Sequence, residues 1–516
     1  MELQRFMSRK ARKKIKRIFF SKSESCIINI TVRGLTGEIQ KGSEFITQQE
    51  KGETMQKHRK FIGDKRFYLM VLGVALPIMI QNGITNFVSL LDNIMVGQVG
   101  TEQMSGVAIV NQLIFIYNLC IFGGVSGAGI FTAQYFGQGN QEGVRNTFRF
   151  KLWIGVILTA LAIAVLFGAH EPLIRLYLTG DQGSQDMNAT LGYGISYLKV
   201  MLFGLPAFMV GQIYASTLRE SGETMLPMKA GIIAVFVNLV FNYILIYGKF
   251  GAPRLGVAGA AAATVLSRYV EMAIVVICTH GDIQKYPFTE HLYRTVKVPA
   301  ALTKQIIIKG TPLMLNETLW AGGMALLMQC YSVRGLNVVA AMNISNTISN
   351  LFNVVFIALG DSVAIIVGQL LGAGKMEEAR DTDTKLITFS VAICVVIGAL
   401  MALVSPAFPR LYNTTEEVRH MAAVFIVEVA VFMPVNAFLH ASYFTLRSGG
   451  KTIITFLFDS VFIWVASVPV AFVLSRFTGL SIYAIYFCVM SVDLIKCIIG
   501  FVLVKKGVWL QNIVVE

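Results

Sequence analysis

Seven acidic residues stand inside long apolar stretches of this chain: Asp92, Glu271, Glu317, Asp361, Glu428, Asp459 and Asp493. A carboxylate at the centre of a bilayer costs roughly 2.5–3.5 kcal/mol or more, so such a group is expected to hold a cation or exchange a proton. Asp92 has the most suggestive setting. At helical spacing Gln81, Thr85 and Asp92 share one stripe, and Asn82, Asn86, Ser89 and Asn93 form the stripe beside it. Lipid would reject so wide a polar face. Pro77, one turn before it, removes a backbone hydrogen bond and predicts a kink. No base lies near Asp92 in its own helix, which suits it to proton exchange. The competing reading is an acid at the membrane surface, where Gly97 and Gly100 end the span.

Glu317 lies five residues after Pro312, beside Asn316 and one turn before Trp320, with Met314, Met324 and Met328 on the same helix. That set suits a flat lipophilic cation: charge from the acid, adaptable contact from methionine, stacking from tryptophan. Asn343, Asn346, Asn350 and Asn353 form an amide stripe, with Asn111 and Asn118 as earlier counterparts. These amides suit either substrate contact or hydrogen bonding between helices. Asn238 and Asn242, four apart, offer two carbonyl oxygens to a hard cation such as Na⁺. Arg268 with Glu271, and Asp493 with Lys496, are spaced to neutralise themselves. Asp361, Glu428 and Asp459 carry no assignment, and His440 reads as packed or titrating.

The helices that must hold these groups are written twice. Pro77, Gly100, Asn111, Asn118, Gln134, Gly137, Gly139 and Arg145 return 235 residues later as Pro312, Gly335, Asn346, Asn353, Gln369, Gly372, Gly374 and Arg380. After a seven-residue deletion the offset becomes 228, and Pro206, Thr217, Leu218, Arg219, Gly222 and Thr224 return as Pro434, Thr445, Leu446, Arg447, Gly450 and Thr452. Apolar runs give twelve candidate spans, at about 67–96, 101–136, 143–169, 189–217, 224–249, 255–279, 303–332, 337–371, 379–406, 416–445, 452–475 and 480–504. Six spans per repeat put both halves in the membrane the same way round, as parallel repeats about an axis along the membrane normal. The expected division is a basic tail over 1–66, a six-helix lobe over 67–279, a linker over 280–302, a second lobe over 303–504 and a terminal segment over 505–516. The tail reads as disordered, lying on an anionic surface, or preceding a true start at Met55.

Composition agrees: 55% hydrophobic and 14% charged residues describe a polytopic all-α membrane protein. The net charge of +14 is no nucleic-acid signal, because the first 66 residues hold 17 of the 44 Lys and Arg. With both termini in the cytoplasm, the inner loops and terminal segment hold another 17, Lys151 among them, against seven outside. The seven cysteines form no C-x-x-C pair, which points away from a disulfide frame or zinc site. Gly450-Lys451-Thr452 imitates the end of a phosphate loop, but no glycine precedes it at the required spacing and no strand leads into it. No nucleophile or metal constellation suggests an enzyme.

Together these residues resemble the multidrug and toxic compound extrusion (MATE) family, most like its bacterial members, from Met55 onward. The specific segments are Leu76-Pro77 through Asp92-Asn93-Ile94-Met95-Val96-Gly97, then Val367-Gly368-Gln369-Leu370-Leu371-Gly372-Ala373-Gly374, and Leu446-Arg447-Ser448-Gly449-Gly450-Lys451-Thr452. Asn238 through Asn242, followed by Gly256-Val257-Ala258-Gly259 and Ala263-Thr264, resembles the family's fifth and sixth helices. The resemblance implies a V-shaped, twelve-helix antiporter in the cytoplasmic membrane, expelling organic cations in exchange for H⁺ or Na⁺ without a cofactor. It assigns ion coupling to Asp92, with Asn238, Asn242 and Thr264 as a neighbouring site able to take Na⁺. Substrate contact falls to Glu317, Asn316, Trp320, Met324, Gln81, Asn111, Asn118, Asn346, Asn350 and Asn353, with Pro77 and Pro312 as kinks. Some members have Asp where Asn242 stands, and Asn436 and His440 occupy the neighbourhood where some carry a tenth-helix acid. A monomer in contact with membrane lipid is expected. The alternatives are a flippase or exporter of lipid-linked or peptidic cargo, whose cavity should be basic, and a membrane-embedded enzyme.

Overall fold

The computed structural model describes residues 61–178 and 184–515, apart from the side chains of residues 88–90, 93, 94 and 184–186. The expectations for the basic tail up to residue 60, and for the side chains of Ser89 and Asn93, fall outside that range. By compactness the chain divides into two units. The described part of the first is residues 64–73, the opening turns of a helix in which Asp64 Oδ1 accepts from the Phe67 N–H at 2.8 Å. The second includes residues 74–515, and the contacts between helices described below lie within it.

The long described elements are helices: α1 (Lys65–Gly97), α2 (Thr101–Gly137), α3 (Gln141–Gly168), α4 (Met187–Glu220), α5 (Met225–Tyr247), α6 (Val257–Gly281), α7 (Ala300–Ser332), α8 (Leu336–Gly372), α9 (Met376–Val404), α10 (Glu416–Ser448), α11 (Thr452–Phe477) and α12 (Ile482–Lys506), with short helical turns at His170–Arg175, Pro287–Thr289 and Phe408–Leu411 between them. Eleven are long and apolar enough to cross a membrane among the described residues. The twelfth, α7, has the length at 33 residues, but Lys309, Asn316 and Glu317 lower its hydropathy. At 1.5 Å per residue the longest helices exceed the ~30 Å hydrocarbon core. Local chemistry sets their ends. Asn140 caps α3 by accepting from the Gly143 N–H at 2.8 Å, and Thr415 and Ser481 cap α10 and α12 likewise. Both α1 and α7 continue as single helices through Pro77 and Pro312.

On α3, Trp153, Val156, Ile157, Leu161 and Val165 are exposed while Gly155 and Thr159 are buried, as expected of a helix with one face to lipid. One core gathers residues of α2 to α6, and two others gather residues of α7 to α12. The halves meet where side chains are smallest. Gly123 and Gly127 of α2 lie against Met314 and Gly310 of α7, close enough that a Cβ on Gly127 would overlap the Gly310 backbone. At the other crossing, Gly137 faces the Gln369 carbonyl and Gly372 faces the Gln134 carbonyl. The duplicated motif therefore packs against its own copy.

Between α6 and α7 the chain is laced to the first half. Arg149 Nε donates to the Leu292 carbonyl at 3.0 Å, and Trp153 Nε1 to the Val296 carbonyl at 2.9 Å. Tyr286 donates to Glu223 at 3.3 Å, Lys285 pairs with the same carboxylate, and Tyr293 hydrogen-bonds Tyr214. Burial pushes the phenols of Tyr286 and Tyr293 up, so both stay neutral.

Candidate functional site

Four polar residues from three helices converge in the first half. Asn242 Nδ2 donates to Asp92 Oδ1 at 2.6 Å, so α1 and α5 meet at the carboxylate. Asn238, one turn earlier on α5, lies against Asp92 and Thr264 of α6. With its nitrogen turned inward, Asn238 donates to the two Asp92 oxygens at 3.0 and 3.2 Å and accepts from Thr264 Oγ1 at 3.3 Å. With its oxygen turned inward, it accepts from Asn242 at 3.1 Å and places two oxygens within hydrogen-bond reach of each other. That second arrangement is stable only with a proton or cation between them, since an ionised carboxylate accepts and never donates. Asn242 Oδ1 is buried and accepts no hydrogen bond among the described residues. An orphaned carbonyl oxygen beside a carboxylate and a second amide is a donor set that a hard cation satisfies. No described ion pair reaches Asp92; nearby Arg268 instead pairs with Glu271 at 3.5 Å and lies over Phe208.

The second half is built differently. Lys496 of α12 donates to Asp459 Oδ1 at 2.7 Å, while Asp459 Oδ2 accepts from Asn316 at 3.1 Å. The sequence-based pairing of Lys496 with Asp493 is corrected here. Residues Leu457–Val461 and Ile463–Ser467 of α11 are π-helical, and the wider turn carries Asp459 toward α7 and α12. Asn316 is buried with both ends of its amide engaged, its Oδ1 accepting from Ser460 Oγ at 2.7 Å. It binds α11 to α7. Glu317 is half-buried and has Arg447, Asp459 and Asp361 as electrostatic neighbours. His440 lies among Phe356, Tyr443 and Phe444.

The remaining candidates divide by exposure. Asn111, Asn343, Asn346 and Asn350 are exposed, with Asn118 and Asn353 half-buried. On spanning helices such amides cannot face acyl chains, so they border water or another protein surface. Asn86 Nδ2 reaches the Asn350 carbonyl at 3.4 Å, joining the α1 and α8 stripes, and Tyr197 donates to Asn111 at 3.1 Å. Trp320 and Met324 are exposed on α7. Gln81 accepts from Arg219 at 3.4 Å, which sets it apart from the Asp92 group.

One group was missed in the sequence. Lys151, counted there among loop charges, is fully buried; its Nζ reaches Glu220 at 2.5 Å and Thr217 at 3.1 Å. Only the position of a lysine two turns into an apolar run, with a glutamate ending the next helix, hinted at the pair. Replacing Lys151 by Met is expected to lower stability by about 3–5 kcal/mol, because Glu220 loses its partner. The double variant Lys151→Met/Glu220→Gln should recover most of the loss in a thermal unfolding assay of the detergent-solubilised protein.

Two like six-helix halves, with polar groups gathered inside each, define a duplicated all-helical membrane transporter. The MatE family profile matches residues 77–244 and 312–473, one stretch in each half. The chain belongs to that family. A Thermotoga maritima protein described as probable multidrug resistance protein NorM is 24% identical over 445 residues, 85% of this chain and 92% of its own length. Multidrug resistance protein PmpM of Pseudomonas aeruginosa is 26% identical over 404 residues, 78% and 83% of the two chains. Among solved structures, a MATE protein in a bent conformation superposes with a TM-score of 0.77 at 19% identity, covering 90% of this chain and 97% of its own. A MOP superfamily transporter from Pyrococcus furiosus gives a TM-score of 0.76 at 20% identity, covering 88% and 98%. Those structural likenesses establish the fold.

Proposed function

We propose that the protein is a secondary antiporter that expels lipophilic organic cations across the cytoplasmic membrane in exchange for H⁺ or Na⁺. One observation carries the reading: among the described residues Asp92 is met by amides and by no ion pair, beside an Asn242 carbonyl that accepts no hydrogen bond there. Such a carboxylate can take a proton or a hard cation and release it. Multidrug resistance proteins among the relatives support the substrate class. An excess of acids over bases within the spans favours cationic cargo over a lipid-linked phosphate.

The two halves then do different work. In the second, the Lys496 ammonium already occupies Asp459, so the exchangeable ion belongs to the first. Substrate contacts Glu317, Trp320, Met324 and the exposed amides. The lobes, over 67–279 and 303–504, rock about the 280–302 linker with both termini cytoplasmic, which places the Gln134–Gln369 crossing at the cytoplasmic end. Drug binds inside and ion outside; each shifts the balance between two states through its different affinity for them. Dye accumulation in cells with and without the protein, repeated without Na⁺ and with the pH gradient collapsed, tests the reading. Equal accumulation in all conditions overturns it. Glu317→Gln is expected to weaken ethidium binding about tenfold, read as a fluorescence Kd, through loss of one nearby charge.

A further inference from the structure

The segment after α12 does something its counterpart after α6 does not. Gly507, in the left-handed region at φ 67°, turns the chain back under the bundle. Trp509 is then buried, its indole N–H donating to the Val504 carbonyl at 3.1 Å. From there the backbone crosses to the first half. Gln134 of α2 donates to the Gln511 carbonyl at 3.1 Å, and its Oε1 accepts from the Ile513 N–H at 2.8 Å. Within its own half, Asn512 Nδ2 donates to the Gly372 carbonyl of α8 at 3.0 Å. Val514 is buried among Phe131 of α2, Phe150 of α3, and Leu302 and Ile306 of α7. The segment after α6, in contrast, is laced to its own half through Arg149 and Trp153.

Comparison of the repeats isolates what this crossing adds. Gln134 and Gln369 are repeat mates, and so are Ser448 and Glu220. Gln369 Nε2 donates to the Glu220 carbonyl at 2.8 Å, and Gln134 Nε2 donates to the Ser448 carbonyl at 2.9 Å. These symmetric bonds join the halves in either direction. Among the described residues Gln134, and not Gln369, makes two further bonds, both to the segment 511–513. They follow from no feature of the duplicated design.

We propose that residues 507–515 are a strap across the Gln134–Gln369 end, and that they must release Gln134 before that end can open. The strap's hold then sets how often the transporter faces inward. This regulation rests on the antiport reading and on the orientation given above. An amide that satisfies both ends of a passing backbone is a specific clasp, because backbone groups that lose it need water in its place. Val514 adds an apolar anchor that must also leave its cluster.

The test uses labels on Glu142→Cys and Glu377→Cys, exposed repeat mates in opposite halves, in a cysteine-free background. Distances between them are measured in lipid nanodiscs by pulsed spin resonance. A chain ended after Leu510 keeps Trp509 seated and removes the two hydrogen bonds that join the segment to Gln134 of the first half. Each such bond is worth a factor of about five, so the ratio of open to closed populations should rise at least about tenfold. Val514→Ala, which leaves the chain whole and trims the apolar anchor against Phe131 and Phe150 of the first half, should raise it about threefold to fivefold. An unchanged or more closed distribution in both variants overturns the strap. The distances are read without transport, so a protein that exports no dye sinks the antiport reading and leaves this result standing.

Discussion

Asp92→Asn should reduce dye export to the level of cells lacking the protein, with membrane abundance and monodispersity unchanged. The substitution keeps the shape of the side chain, and Asn242 can still donate to the new amide oxygen where it met Asp92 Oδ1 at 2.6 Å. Folding is therefore spared. What disappears is the charge, and with it any reason for a proton or Na⁺ to stop there. The hydrogen bonds that remain become neutral, losing about half their strength. Without an ion whose affinity differs between states, nothing biases the return of the emptied carrier. The loss should exceed tenfold in ethidium efflux rate, while equilibrium ethidium binding changes far less. Asp92→Glu, which keeps the charge one methylene further out, should restore part of the export. Unimpaired export by Asp92→Asn would move energy coupling elsewhere in the molecule.

What the sequence could reveal of this site follows from which contacts are local. The pairing of Asn238 with Asn242 was legible because helical spacing alone puts both on one side, whereas in the face read around Asp92 Gln81 turns to Arg219 and Ser89 and Asn93 lie outside the described side chains. The meeting of Asp92 with Asn242, across 150 residues, is tertiary and has no trace in spacing; only the family resemblance suggested it. Lys496 shows the opposite failure. Asp493 was available at i−3, but the π-helical stretch of α11 brings Asp459 to the ammonium, and no residue pattern announces a π turn. Lys151 was misread because a charge near a span end looks like a loop charge until the helix is seen to continue around it. The repeat itself was plain in the sequence. Gly137, Gly372, Gln134 and Gln369 stand where backbones touch or a side chain closes on a carbonyl, and few residue types fit such positions.

Those touching backbones carry the other large expected effect. A methyl group on Gly372 would lie 1.9 Å from the Gln134 carbonyl oxygen, and one on Gly137 1.9 Å from that of Gln369. Each obstacle is backbone inside a continuous helix, so neither can rotate aside as a side chain could. Overpacking at such a point moves whole helices apart. Gly372→Ala should therefore hold α2 and α8 apart at that end, and Gly137→Ala should do the same by symmetry. Because only one end of the bundle is obstructed, the variants should fold and insert yet fail to cycle. Export should fall at least tenfold, and the Glu142→Cys/Glu377→Cys label pair should report the longer distance as the dominant population. Gly168→Ala, at a helix end with nothing within 4 Å of the added carbon, should export normally. The symmetric clasps explain why the effect should be large: once the glycines are forced apart, Gln134 can no longer reach Ser448, nor Gln369 Glu220, both now bonded at under 3 Å. One methyl group thus removes the close helix contact and both reciprocal bonds, so the closed end loses its stabilisation in a single step. Wild-type export by Gly372→Ala would mean that this crossing never forms during the working cycle.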